Sequence, residues 1–198
     1  MSALTSVVEL YPLLLPELPN CPTPLLLQVL QQTIRDFCVQ SDLWRETLTM
    51  NVVADQADYT LAPTDTSSQV QRVVSVSISD VEQLQRYITF NPTNSEITLD
   101  DDIIPTAAET NGLDVVISLC PHIGYPTTTF NAGMLNRWAE AFCMGAKARL
   151  MLMPQKDWSN GQLGMMYMQQ FLTQVALARR EVWTGYKNGT MSVAPRTW

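Results

Sequence analysis

The chain has 198 residues, 46% of them hydrophobic and only 16% charged, against about 25% charged in an ordinary soluble domain. That is enough apolar material for one domain with a real core, and the shortage of charge predicts that other subunits cover part of its surface. The net charge of −7 is divided unevenly, with 16 acids and four bases in Met1–Asn136 but three acids and eight bases in Arg137–Trp198; so acidic a body argues against wrapping nucleic acid, whose phosphates it would repel, and allows self-association in which acidic and basic faces meet.

Residues 1–22 are apolar but interrupted by Pro12, Pro16, Pro19 and Pro22, and are expected to form an N-terminal arm. No basic stretch precedes Val7-Val8, so neither a signal peptide nor a membrane span is expected. Thr23-Pro24 offers an N-cap followed by proline at the first helical position. Leu26, Leu30, Ile34, Phe37 and Cys38 then recur at spacings of three and four, which predicts a first bundle helix within 23–44, helical to about Ser41.

At Trp44 the period changes. Leu48, Met50 and Val52 alternate with polar neighbours, and Tyr59 and Leu61 follow, which predicts two short strands joined by a turn. Val70–Ile78, Tyr87–Phe90, Glu96–Leu99 and Leu113–Leu119 are further strand candidates, with Asn91-Pro92, Asn94-Ser95 and Asn111-Gly112 as turns. Residues 45–126 are therefore expected to be an inserted antiparallel β domain.

Residues 127–184 hold two long helical stretches. The first, capped by Thr129 or Asn131, carries Leu135, Trp138, Phe142 and Leu152 and stops before Pro154; the second, from Asp157 or Ser159, carries Met168, Phe171, Leu172, Val175 and Ala178. Ala139, Ala141, Gly145, Ala146 and Ala148 permit close helix contact. Past Gly185 the chain reads as an extended C-terminal arm over 185–198, with Tyr186, Lys187, Met191, Val193, Arg196 and Trp198 as candidate anchoring residues. The predicted class is α+β: a bundle of three or more helices with an inserted small antiparallel β domain and an extended arm.

Chemistry is sparse in the sequence. Cys21, Cys38, Cys120 and Cys143 are scattered, form no CxxC pair and are expected to be buried free thiols. His122 is the single histidine, and Cys120-Pro121-His122 is poor geometry for a nucleophilic or metal pair. Asp100-Asp101-Asp102 lacks the glycine turn of a calcium loop and reads as a solvated strand end. Gly161 and Gly164 belong to no phosphate-binding motif. Met144, Met151, Met153, Met165, Met166 and Met168 could line an adaptable binding face, with packing between neighbouring helices as the default reading. No enzyme activity and no cofactor is expected.

The last third carries a resemblance. Val115–Leu119, Pro121, Pro126-Thr127-Thr128, Trp138-Ala139-Glu140-Ala141, Gly145-Ala146-Lys147-Ala148-Arg149-Leu150, Met153-Pro154-Gln155-Lys156-Asp157-Trp158 and Ala178-Arg179-Arg180-Glu181 follow in order. This series, over about residues 115–183, resembles the head-to-tail adaptor (connector) proteins of tailed bacteriophages, as does the layout of a helix, a β insertion and two long helices. The resemblance implies a virion structural protein made in the host cytoplasm and placed in the phage neck. It implies a twelve-subunit ring docked on the portal protein by the C-terminal arm, with a tail protein on the opposite face and DNA passing non-specifically through the channel during ejection. Another neck or tail ring (stopper or nozzle) is the alternative, followed by a small enzyme or ligand module around Cys120, His122 and Tyr125.

Overall fold

The computed structural model describes residues 4–65, 67–122 and 129–184. The fold is mixed α+β. In chain order it comprises β1 (Leu4–Ser6), the single turn α1 (Tyr11–Leu14), α2 (Thr23–Ser41), β2 (Arg45–Val52), β3 (Asp58–Thr60), β4 (Ser68–Ile78), β5 (Val81–Glu82), β6 (Ile88–Asn91), β7 (Glu96–Leu99), β8 (Glu109–Pro121), β9 (Thr129–Asn131), α3 (Ala132–Met151) and α4 (Gly161–Thr184).

Helix α2 follows its apolar stripe: Leu26, Leu30, Ile34, Phe37 and Cys38 are completely buried. Its N-cap is Pro22 rather than Thr23, because the extended Pro22 carbonyl already accepts from the Leu26 N–H at 3.0 Å. Pro24 then sits in the first turn, where an N–H has no helical partner to lose. Phe37 is where three helices meet: its ring lies 5.1 Å from Phe142 edge-on, 5.3 Å from Trp138 and 6.0 Å from Phe171. Gly145 lets α3 approach both neighbours, since a Cβ there would stand 2.5 Å from Thr33 Cγ2 and 2.6 Å from Phe171 Cδ2.

Helix α4 begins after Asn160, whose side-chain oxygen accepts from the Leu163 N–H at 3.1 Å. Ser159, one of the two expected starting points, lies before the helix, its hydroxyl donating to the Met153 carbonyl and accepting from the Lys156 N–H. The buried line of α4 is Gly164, Phe171, Val175 and Ala178. Leu172, expected on that line, is 49% exposed, because it lies one residue, about 100° of helix rotation, beyond Phe171.

Residues 4–22, within the expected N-terminal arm, pack against the helices. Short helical turns at Val7–Leu10, Tyr11–Leu14 and Leu15–Glu17 bring Val7, Leu10, Leu14 and Leu18 into the helical core. Their spacings of three and four are helical, and Pro12 and Pro16 occupy first-turn positions that tolerate a missing N–H. Glu17 fastens the segment through Lys147 Nζ and the Tyr167 hydroxyl, both at 2.6 Å.

The expected single β unit is two sheets. One has the order β2-β8-β4-β5 and the other β3-β7-β6, both antiparallel; β1 and β9 form a separate two-stranded ribbon. The two short strands joined by a turn that the sequence predicts are β2 and β3, but they do not pair with each other. β2 pairs with β8, setting Leu48 opposite Val115, while the three residues of β3 pair with β7, setting Tyr59 opposite Ile97. Asn111-Gly112 is not a turn but an irregularity inside β8: Asn111 takes φ 56° and the register against β2 slips between Met50 and Val52. The sheets bury their own core of Val52, Tyr59, Leu61, Val76, Ile97, Val115 and neighbouring side chains, and Trp44 packs against this core and the helical one.

Candidate functional site

The chain between α2 and β2 is where the helical and sheet cores meet, and polar side chains hold it. Asp42 ends α2 in the left-handed conformation (φ 54°), its N–H donating to the Cys38 carbonyl at 2.9 Å. Aspartate tolerates this conformation better than most residues. Its carboxylate is buried and accepts from Arg72 Nε at 2.8 Å, from the other arm of the same guanidinium, and from Ser118 Oγ at 3.0 Å. A charged fork and a hydroxyl thus satisfy a carboxylate that burial would otherwise penalise.

Three residues on, Arg45 enters the same junction. Burial lowers the affinity of its guanidinium for its proton; neighbouring Asp42 opposes this and Arg72 adds to it. Arg45 walls an open cleft of about 260 Å³ together with Leu43, Trp44, Met134, Arg137 and Trp138. α3 leaves helical dihedrals at Trp138 (φ −112°, ψ 17°). Arg137 lies over the Trp138 ring at 5.8 Å and donates to Glu181 at 2.7 Å.

The Cys120–His122 neighbourhood has a different character. Cys120 is buried, and burial pushes its thiol pKa up, only partly offset by Arg35 and a hydrogen bond involving Gln69. That is the reverse of what activates a thiolate nucleophile. His122 lies in the wall of a cleft of about 420 Å³, and its backbone N–H donates to the Ser67 carbonyl at 2.9 Å. Tyr125 falls outside the described residues. Cys21, Cys38, Cys120 and Cys143 are all buried free thiols, and burial drives the Cys143 pKa up to about 11. Asp100–Asp102 follow the end of β7, exposed, with Asp100 accepting from the Asp102 N–H at 3.3 Å.

The outer side of α4 is the largest feature that the expected core pattern missed. No Asp, Glu, Lys, Arg or His occurs between Asp157 and Arg179. Leu163, Met165, Met166, Leu172 and Leu177 all face solvent, and Trp183 is 67% exposed. On one flank Met165, Gln169, Leu172, Ala176 and Arg179 recur at spacings of four and three; on the other Leu163, Met166, Gln170, Thr173 and Leu177 recur at three and four. Both rows have the period of a helix–helix seam. The first borders an open cleft of about 500 Å³ whose opposite wall includes Val39, Gln71 and Arg72. No helix among the described residues is long and apolar enough to cross a membrane. The signal visible in the sequence was the absence of charge over the whole outer face, not the periodicity of the buried one.

Part of the charge division between the two portions of the chain is resolved inside the subunit. Lys147 pairs with Glu17, and Arg149 pairs with Asp36. Among the described residues, Arg179 and Arg180 join no ion pair within 4.0 Å and stand at the end of the uncharged face.

The six anchoring residues expected in the arm, Tyr186, Lys187, Met191, Val193, Arg196 and Trp198, lie outside the described residues. No family model matches the chain, and no curated protein matches it.

Proposed function

We propose that the chain is a structural ring subunit of a phage neck, an adaptor between portal and tail with a central channel for DNA. In this reading α2, α3 and α4 are the bundle, the sheets of 45–121 are its inserted β domain, and residues 185–198 are the arm that reaches the portal. The observation that carries the reading is the outer face of α4. An exposed Leu/Met face with no charge from Trp158 to Ala178 is unusual for a surface that meets only water. Its occupant is a second copy of the chain. Arg179 and Arg180 stand at one end of the face, and the chain through Asn136 supplies 16 acids to meet them. Such a contact joins two different surfaces, so it repeats from copy to copy and closes into a ring when the rotation permits. The phage assignment comes from the sequence resemblance across residues 115–183.

The test is a native mass measurement of the protein alone and mixed with portal protein. Assembly into a single closed species, with twelve copies expected, supports the reading, and a monomer under both conditions overturns it. Deleting residues 186–198 is expected to leave the thermal melt nearly unchanged and to abolish attachment to the portal. Undiminished docking of the truncated chain would remove the arm from the account.

A further inference from the structure

The β4–β5 hairpin presents large apolar side chains to water at its tip: Val81 is 61% exposed and Leu84 60%. Its two-residue turn is Ser79-Asp80, both in the left-handed region (φ 50° and 64°), with Ile78 opposite Val81 and Ser77 opposite Glu82. The Ser79 N–H donates to the Gly112 carbonyl at 2.7 Å and the Gln83 N–H to the Val76 carbonyl at 2.8 Å. Gln85 Nε2 adds a bond to the Val74 carbonyl, also at 2.8 Å. The tip is thus held in place before any partner arrives, which lowers the ordering cost of binding. Asp80 and Glu82 are exposed and, among the described residues, join no ion pair within 4.0 Å. The next base, Arg86, lies over the Tyr87 ring at 4.6 Å and donates to its hydroxyl at 2.6 Å. The tip is therefore apolar and acidic.

The cleft of about 500 Å³ beside α4 has the complementary character. Val39, Leu172 and Val175 give it apolar walls, and Arg72 and Arg179 give it positive charge. Asp42 in the same wall already pairs with Arg72, so Arg179, exposed and outside any ion pair among the described residues, is the charge the cleft offers. An α-helix about 10–12 Å across is too thick for such a space, whereas the side chains of a hairpin tip suit it. A subunit cannot fill its own cleft with its own hairpin. Arg72 walls the cleft, and the turn at Ser79 lies beyond the far end of the same strand, about 20 Å away at a rise of about 3.3 Å per residue.

We infer that the hairpin tip of one copy docks in this cleft of the next, with Val81 and Leu84 on the apolar walls and Asp80 and Glu82 beside Arg179. The inference rests on the reading that a second copy covers the outer face of α4, whose Leu172 flank borders the same cleft, and it names the surface which that copy brings. Tip and cleft are different surfaces, so the contact runs head to tail.

The test is sedimentation of the full chain over a range of concentrations. The wild-type chain is expected to assemble. Val81→Ser combined with Leu84→Ser changes two exposed positions and should weaken association at least about tenfold while leaving the thermal melt unchanged. Arg179→Glu should weaken it by a similar factor. Adding Asp80→Asn and Glu82→Lys to Arg179→Glu should restore association, since the attraction is rebuilt with its signs exchanged; asparagine keeps the left-handed turn. Wild-type association by the Val81/Leu84 variant, or no recovery in the charge-exchanged chain, overturns the docking of the hairpin and leaves the second-copy reading of α4 standing. A wild-type chain that stays monomeric at every concentration overturns both.

Discussion

Asp42→Ala is the sharpest perturbation of the junction between the helical and sheet cores. It removes the acceptor of the Arg72 fork and of Ser118 Oγ, and places alanine at φ 54°. Removing one partner of a buried ion pair costs about 3–5 kcal/mol. Arg72, with its side chain 43% exposed, regains water and pulls the cost toward the lower end. Ser118 is completely buried and does not; a hydroxyl left unmade adds about 1–3 kcal/mol, and the left-handed backbone costs alanine about 1–2 kcal/mol. These terms overlap, so the expected total is about 4 kcal/mol, a fall in Tm of roughly 10 °C for a chain of this size. Urea unfolding followed by far-UV circular dichroism measures it. Asp42→Asn keeps an oxygen for Ser118 and tolerates the backbone, and should cost about half as much. Asp42→Gly relieves the backbone alone and should fall between the two. An alanine variant within about 0.5 kcal/mol of wild type, the range of an ordinary surface substitution, would refute the account of this junction.

Three further outcomes are expected. Gly145→Ala gains about 1 kcal/mol in helix propensity but drives a methyl to 2.5 Å from Thr33 Cγ2 and 2.6 Å from Phe171 Cδ2; a net loss of about 1–3 kcal/mol should appear in the thermal melt, and stabilisation would show that α3 does not approach its neighbours this closely. Hydrogen bonds first from Lys147 and then from Tyr167 hold the Glu17 carboxyl below its ordinary pKa, so its contribution is present above the unfolded value of about 4.3 and is lost as pH falls through the folded one. With the Glu17 side chain 40% exposed, Glu17→Gln should cost less than about 1 kcal/mol at pH 7, and the difference from wild type in urea midpoint should shrink toward zero as the pH is lowered below 4; an undiminished difference there would show that the ion pair is not its source. Leu172→Glu places a charge on the exposed face of α4 and should leave the melt within about 0.5 kcal/mol of wild type while lowering the assembled mass; unchanged assembly would take this face out of the contact.

The sequence displayed local periodicity well and long-range partnership poorly. The stripe from Leu26 to Cys38 identified α2 and its bounds, Glu96–Leu99 became β7 residue for residue, and β4 and β8 contain the strands expected within them. Pairing was less accessible, because β2 and β3 adjoin in sequence yet belong to different sheets, and alternation along a strand does not say which other strand it meets. The prolines of the N-terminus mark it as an arm, and its short turns were not legible. Proline breaks a helix only beyond its first turn, and turns this short have little interior, so Pro12 and Pro16 are accommodated in them. The Asp42–Arg72–Ser118 cluster was invisible for a related reason: its members stand 30 and 76 residues apart, and only the fold joins them. Leu172 shows a different limit, since an apolar residue on a helix signals burial, and assembly can supply that burial as well as the core.

That last ambiguity bears on how copies of the chain would recognise one another. The −12 and +5 division read from the sequence suggests assembly by charge, but Lys147 and Arg149 are paired with acids from the acidic part of their own subunit, and Arg137 is paired with Glu181; the first two pairs cross between the parts. Their attraction holds the N-terminal segment and α2 against α3, a folding role. What remains at the surface of α4 is an uncharged stretch of Leu, Met and Gln with Arg179 and Arg180 at one end. In the proposed contact apolar burial would supply affinity, and the two arginines would set direction by favouring a neighbour's acidic surface at that end. Salt separates these contributions. Screening beyond about 8 Å at physiological ionic strength weakens the steering by exposed arginines and leaves apolar contact intact. A contact built this way forms more slowly as salt rises and, once formed, persists, whereas one held mainly by opposite charge would come apart.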